Sequence, residues 1–459
     1  MRVLDLEDLG SFLDDDKFRG AIAKNFFSGE LSKFHMVTQA SSNPGGRPRA
    51  ARLDIRAIID AFGEVITEHA PMLEQITEPQ MGNILSSALL RWTPRLKYLR
   101  SLTLWEGKAL ADERVRSLLQ THCIHLEAVS IYQWQGATSD HELASFINGL
   151  KPQTLKFFEI ISTNDIGMES CLALNTHGES LRELMLFLNN DALPALGLLK
   201  GCTAIEVLQL VDMHGTTDLE KTQNELFLEL IAWLCECKSL RTLALTNFVS
   251  APAIATPVLV EDGIHLRSLT IGARENTAYL AKDNRDFHQA LVHQRDLRVL
   301  LLKGDSSDMT GDDVSVLLNC LCQLTHLRDL KLRGVSDYFS NAHIIALAQH
   351  LRELEELYVG GYGVNDDIWE SVGGLHNLRN FNLNAMAKVT ARGLLDFISQ
   401  LGPGNEAIVV SVDNADPDDH LTEEEQKLVR DELANKVGGR FDYILLRDPD
   451  SSEFEGDSD

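Results

Sequence analysis

The chain has 459 residues, beyond the roughly 250–300 at which one globular core stops growing, so it must divide into domains or stack repeats in one dimension. Its 44% apolar and 24% charged residues are an ordinary soluble balance, while a formal net charge of −26 disfavours nucleic-acid phosphates and anionic membranes and leaves a basic protein, or a basic patch on one, as the expected partner. Seven cysteines, an odd number, point to free thiols in a reducing compartment, cytoplasm or nucleus, and no signal peptide or membrane-length apolar run is found.

Residues 1–95 read as a capping region with a partial repeat. Met1-x-x-Leu4-x-Leu6 has the spacing of a strand, so the chain is expected to open inside a repeat, as though a front end precedes it. Asp14–Phe27 reads as a helix through Phe18, Ile22 and Phe26, and a flexible loop rich in Ser, Gly, Pro and Arg follows at 39–51. Leu53–Ile66 is an amphipathic helix, and Leu73-x-x-Ile76 a degenerate repeat.

From residue 96 to 413 the pattern L-x-x-L-x-L, with Ile, Val or Phe allowed for Leu, starts at Leu99, Leu126, Leu155, Leu181, Ile205, Leu240, Leu266, Leu297, Leu327, Leu354 and Leu378. The first and last starts are 279 residues apart, about 28 per repeat, which is the spacing of leucine-rich repeats. In each unit the second and third apolar residues alternate with outward ones, the two-residue period of a strand, while the first turns inward at the preceding bend. Between strands the apolar spacing turns helical, as in Phe227, Leu230, Ile231 and Leu234, or in Val314, Leu317, Leu318 and Leu321 behind Asp312-Asp313. A single strand–helix unit cannot bury its own apolar face, so neighbours must stack. The expected fold is an α/β leucine-rich-repeat solenoid, a ribonuclease-inhibitor-like horseshoe with parallel strands on the concave face and helices on the convex face. The longest interval follows Ile205 and is expected to place a loop at Met213–Thr222.

Residues 414–447 form a C-terminal helix–strand cap. Ala407–Val412 reads as a strand leading into it, Thr422-x-x-Glu425 is a capping box opening a helix, Gly438-Gly439 stops that helix, and Phe441–Leu446 returns as a strand. From Asp413 to the end, 16 Asp or Glu face 5 Lys or Arg, and residues 448–459 are too poor in apolar side chains to fold, so a disordered acidic tail is expected.

Three passages carry a resemblance: Arg2-Val3-Leu4-Asp5-Leu6-Glu7-Asp8-Leu9; the run from Trp92 to Trp134, with Leu104-Trp105-Glu106-Gly107 and Ser130-Ile131-Tyr132-Gln133-Trp134; and Gly439-Arg440-Phe441-Asp442-Tyr443 with its acidic tail. In these the chain resembles the leucine-rich-repeat part of the F-box proteins, particularly a fungal group. The resemblance implies the substrate-recognition part of an SCF-type ubiquitin ligase, in which the repeats hold the target and an F-box docks the adaptor. No Leu-Pro-x-Glu opening of an F-box stands in the sequence, and Ala192-Leu193-Pro194 lies among the repeats, so adaptor docking is expected only if an F-box precedes this chain. A stand-alone scaffold or inhibitor is the alternative. A GTPase activator built on such repeats fits less well, because the ninth-position Asn, present at Asn189, is missing after most strands.

No enzyme signature is found, and no catalytic, cofactor or metal site is expected. Cys235-Glu236-Cys237 and Cys320-Leu321-Cys322 fall on helices, where residues two apart diverge by about 200°, so they read as structural thiols. His122 and His125, and His343 and His350, lack metal-protease spacing, and Arg47, Arg49, Arg52 and Arg56 read as a solvated basic loop. The informative surface is the concave ridge. Its outward residues Trp105, Tyr132, Trp134, Phe157, Ile161, Met185, Phe187, Val207 and Val211 are apolar, whereas those of later repeats, such as Asp329, Lys331, Arg333 and Asn382, are polar. The apolar set is the expected partner-binding site.

Overall fold

A computed structural model describes residues 1–15, 21–36, 52–78, 80, 83–189, 192–272, 281–305 and 309–446, and divides the chain into two compact units, Met1–Ile205 and Glu206–Asp459.

The first unit carries β1 (Val3–Asp5), β2 (His35–Met36), β3 (Arg52–Leu53), β4 (Gln75–Thr77), β5 (Ser101–Glu106), β6 (Ala128–Gln133), β7 (Phe157–Ile160) and β8 (Glu183–Leu188). β1 and β4 to β8 lie side by side in one parallel sheet, while β2 and β3 pair as a small antiparallel ribbon. The inward residues stand in register: Ile76 opposite Leu102, Leu102 opposite Val129, Val129 opposite Phe158, and Phe158 opposite Leu184. All five are fully buried, as are Leu99, Leu155 and Leu181 at the bends before their strands. Helices α1 (Leu6–Asp14), α2 (Ala21–Phe26), α3 (Ile55–His69), α4 (Leu85–Trp92), α5 (Glu113–His122), α6 (Ser139–Gly149) and α7 (Met168–Leu174) connect the strands. α3 buries Ile58 and Ile59 and keeps Phe62 and Val65 exposed, so only part of its apolar face is used within the described chain.

The second unit is a nine-stranded parallel sheet in chain order: β9 (Val207–Asp212), β10 (Thr242–Thr246), β11 (Ser268–Gly272), β12 (Val299–Lys303), β13 (Asp329–Arg333), β14 (Glu356–Asn365), β15 (Asn380–Lys388), β16 (Val409–Ala415) and β17 (Arg440–Leu445). The intervening helices are α8 (Leu219–Thr222), α9 (Asn224–Glu236), α10 (Ala251–Val260), α11 (Arg285–Leu291), α12 (Gly311–Leu321), α13 (Asn341–His350), α14 (Trp369–Gly373), α15 (Ala391–Gln400) and α16 (Glu423–Val437). Their starts are chemically specified. Thr310 and Asp313 form a reciprocal capping box at α12, as do Thr422 and Glu425 at α16, satisfying N–H groups the helix itself cannot. α16 stops at Gly438, whose φ of 68° is open to glycine at little steric cost.

Each unit is thus an α/β leucine-rich-repeat solenoid. All eleven spaced leucine patterns form strands, β5 to β15; Leu73-x-x-Ile76 gives β4, and the two strands expected at the C-terminal end are β16 and β17. Two local expectations are corrected. Leu6 opens a helix instead of ending a strand, because the Asp5 carboxylate accepts the N–H groups of Glu7 and Asp8 and so caps α1. Within Met213–Thr222, residues 219–222 are helical, because Asp218 accepts the Lys221 N–H at 3.2 Å. The loop at 39–51, the tail at 448–459 and residues 16–20 of the helix expected at Asp14–Phe27 lie outside the described residues.

Candidate functional site

In the first unit the strand register sorts outward residues into two rows. Nearest the strand starts stand Ser101, Ala128, Phe157 and Glu183; next come Thr103, Ser130, Glu159 and Met185. Beyond these stand Trp105, Tyr132 and Phe187 on β5, β6 and β8, with Ile161 one residue past the end of β7, where its N–H donates to the Ile131 carbonyl. This row is apolar throughout. The Trp105 indole lies flat on the Tyr132 ring, with centroids 3.8 Å apart and planes 9° from parallel. Ile161 is 38% exposed, and Trp105, Tyr132 and Phe187 are half-buried. Offset stacking and cross-strand packing hold such rings in fixed orientation.

Phe157 and Met185 stand apart from this row. Between and beside them lie Glu159 and Glu183, and Ser130 Oγ donates to the Glu159 carboxylate at 2.5 Å. The apolar field expected from the sequence is therefore one continuous row with two separate apolar residues set among acids. Val207 and Val211 belong to the second unit, where both are half-buried on β9 and flank Gln209.

Trp134 is not on the surface. Strand alternation would turn it outward, but β6 ends at Gln133 and Trp134 turns inward, where it is 2% exposed. Its indole packs over Gly107, and a β-carbon at that position would stand 2.2 Å from the nearest ring atom, too close to fit. The Trp134 backbone forms an isolated parallel bridge with Asn164, which fixes the turn. Trp134 is a core residue.

Two features that support the row escaped the sequence reading. The first is Glu78, just past β4 and buried, whose carboxylate accepts the N–H of Leu85 at 2.7 Å and that of Trp105 at 2.8 Å. Burial pushes its pKa up to about 7, against the lowering effect of these backbone donors. The second is a ladder of asparagine amides. Asn164 Nδ2 donates to the Phe187 carbonyl at 2.7 Å and Asn189 Nδ2 to the Asn164 carbonyl at 3.0 Å, while in the second unit Asn247 Nδ2 donates to the Asp212 carbonyl at 2.9 Å. Counted from the leading leucine, only Asn189 is ninth; Asn164 is tenth and Asn247 eighth, which hid them from a fixed-spacing search.

The later outward residues of the second unit are polar and engaged with one another. Lys331 bridges Asp329 at 3.0 Å and Glu356 at 2.7 Å. Arg333 lies over the Tyr358 ring at 5.0 Å, Asn384 donates to the Tyr358 hydroxyl at 2.6 Å, and Asn382 donates to Asp413 at 2.9 Å.

None of the seven cysteines is in a disulfide; Cys235 and Cys320 are the penultimate residues of α9 and α12, and Cys237 and Cys322 are their C-caps. Burial pushes the thiols of Cys123, Cys171 and Cys237 up to about 12. His343 caps α13 by accepting the Ser340 N–H at 2.9 Å. Among the described residues no group of three or more His, Cys, Asp or Glu stands together to hold a metal ion, and no helix is long and apolar enough to cross a membrane. Arg47 and Arg49 of the basic loop lie outside the described residues.

No protein-family model matches the chain, and no curated protein matches it. Solved structures similar to it include the Rad7 and Elc1 complex in yeast, at 13% identity and a TM-score of 0.44 over 80% of this chain and 86% of that one. An internalin (inlF) from Listeria monocytogenes is similar at 15% identity and a TM-score of 0.35, over 78% of this chain and 90% of that one. The TLR13–ssRNA13 complex is similar at 12% identity and a TM-score of 0.33, over 83% of this chain and 60% of that one.

Proposed function

We propose that this chain is a protein-interaction module and not an enzyme, and that a protein partner docks on the row Trp105–Tyr132–Ile161–Phe187. The observation that carries this is the stacked Trp105–Tyr132 pair on β5 and β6, with two further apolar side chains on the following repeats, Ile161 just past the end of β7 and Phe187 on β8. Trp and Tyr are the residue types enriched at binding hot spots, and rings already stacked lose little freedom when a partner covers them. Phe157 and Met185 would then lie at the rim, beside Glu159 and Glu183.

The finer reading is the substrate-recognition part of an SCF-type ubiquitin ligase. It rests on the three passages that resemble the F-box leucine-rich-repeat proteins, and it requires that an F-box precede this chain to reach the adaptor. The test is to identify proteins captured by the native chain but not by a Trp105→Ser/Phe187→Ser variant, and to follow their half-lives after the chain is depleted. A ligase receptor predicts that these proteins persist longer and lose ubiquitin conjugates. Unchanged half-lives would leave the scaffold or inhibitor reading in its place.

A further inference from the structure

The turns that enter the strands of the second unit form a basic seam on an acidic chain. Residues 237–241, 261–267, 292–298, 322–328, 350–355 and 376–379 hold eight Lys or Arg, five His and five Asp or Glu, against −26 for the chain as a whole. Arg241, Arg267, Arg298 and Arg328 stand one residue ahead of β10, β11, β12 and β13, so their backbones climb the sheet in steps of about 4.8 Å.

Part of this charge is already balanced. Lys238 pairs with Glu261 at 2.7 Å, His326 with Glu353 at 3.0 Å, and Arg328 with Glu355 at 3.3 Å. Arg241 donates to the carbonyls of Leu240 and His265. Among the described residues, the guanidinium groups of Arg267 and Arg298 have neither ion pair nor hydrogen bond. Both line a cavity of about 230 Å³ with Arg328, His326, Asp296 and Glu353.

We infer that this seam binds an acidic segment of a partner protein. Exposed guanidinium groups on neighbouring strands suit carboxylates, which they can hold through two parallel hydrogen bonds. The interleaved Asp296 and Glu353 select among anions. They repel a dense run of phosphates and admit a chain whose negative charges are separated by neutral side chains. A long nucleic acid would also meet the repulsion of the whole molecule. The seam lies within the second unit, and the inference stands independently of the apolar row in the first.

The test uses the full chain and a fluorescein-labelled (Glu-Ala)6 peptide, with binding followed by anisotropy from low salt to 0.15 M. The native chain is expected to bind the peptide, and Arg267→Gln/Arg298→Gln to weaken it at least tenfold. A control variant, Arg114→Gln/Arg440→Gln, removes the same charge from other exposed sites and should bind within twofold of native. The melting curve of Arg267→Gln/Arg298→Gln should match that of the native chain, since neither guanidinium has an ion pair or hydrogen bond to lose, whereas the control variant gives up the exposed Arg114–Asp112 and Arg440–Asp442 pairs. Equal weakening by both pairs would show a diffuse charge effect and overturn the seam. Tighter, Arg267-dependent binding of tripolyphosphate or of a 12-residue oligothymidylate would overturn the assignment to an acidic protein segment.

Discussion

The buried carboxylate of Glu78 accepts the backbone N–H of Trp105 at 2.8 Å, tying a titratable group in the core to the first residue of the apolar row. Burial raises the Glu78 pKa from 4.5 to about 7, so the folded chain keeps this proton to higher pH than the unfolded chain does. The stabilising contribution is therefore complete below about pH 4.5 and is lost as pH rises to about 7, on the order of 3 kcal/mol in all. His288 works in the opposite sense: burial lowers its pKa to about 4, so its contribution is lost as pH falls below about 6.5. The pH dependence of the native chain alone mixes the two. Comparing the native chain with Glu78→Gln isolates the carboxylate, and the variant should gain stability relative to native between pH 5 and pH 8. A stability difference that does not change with pH would contradict this role for Glu78.

Neighbouring residues of β8 separate stability from recognition. Leu184 is fully buried between Phe158 and its own repeat, so Leu184→Ala should cost about 2–5 kcal/mol in urea unfolding through lost burial and a cavity. Removing Tyr132 should cost the stacking with Trp105, about 0.5–1.5 kcal/mol beyond the area exposed. Phe187→Ser is expected to be milder than Leu184→Ala, because its ring is only half-buried. Equal losses at Leu184 and Phe187 would show that the row is part of the core.

The thiols should react in two classes. In the native chain at neutral pH a maleimide should reach only Cys235 and Cys322, the two that are not fully buried; after denaturation without reductant all seven should be modified. Labelling of Cys171 or Cys202 in the native chain would contradict the packing of the first unit.

The strands were legible because the leucine spacing reports a burial demand that recurs in every repeat, and each of the eleven spaced patterns forms one. Parity along a strand is legible only while its ladder lasts. That is why Trp105 and Tyr132 face outward as expected while Trp134, one residue past the end of β6, does not. The only sequence signal for its inward turn is Gly107, 27 residues earlier, which makes room for the indole. Glu78 gave no signal at all, since its partners are backbone groups brought near by the stacking of repeats. Glu159 and Ser130, lying between apolar positions, show why a list of outward residues overstates a site: neighbours across strands decide whether apolar side chains form a row or stand alone.

A protein partner seated on the outward row of the first unit would lie against Phe187. Replacing Phe187 with the photo-crosslinking residue p-benzoylphenylalanine in cells, and Leu172 on α7 as the control, tests that placement at the residues concerned. Leu172 is 52% exposed but lies on a helix. Discrete crosslinked species are expected from position 187 that disappear when Trp105 is changed to Ser, and none in common from position 172. Species that form equally from both positions, or that survive loss of the Trp105 ring, would contradict that placement.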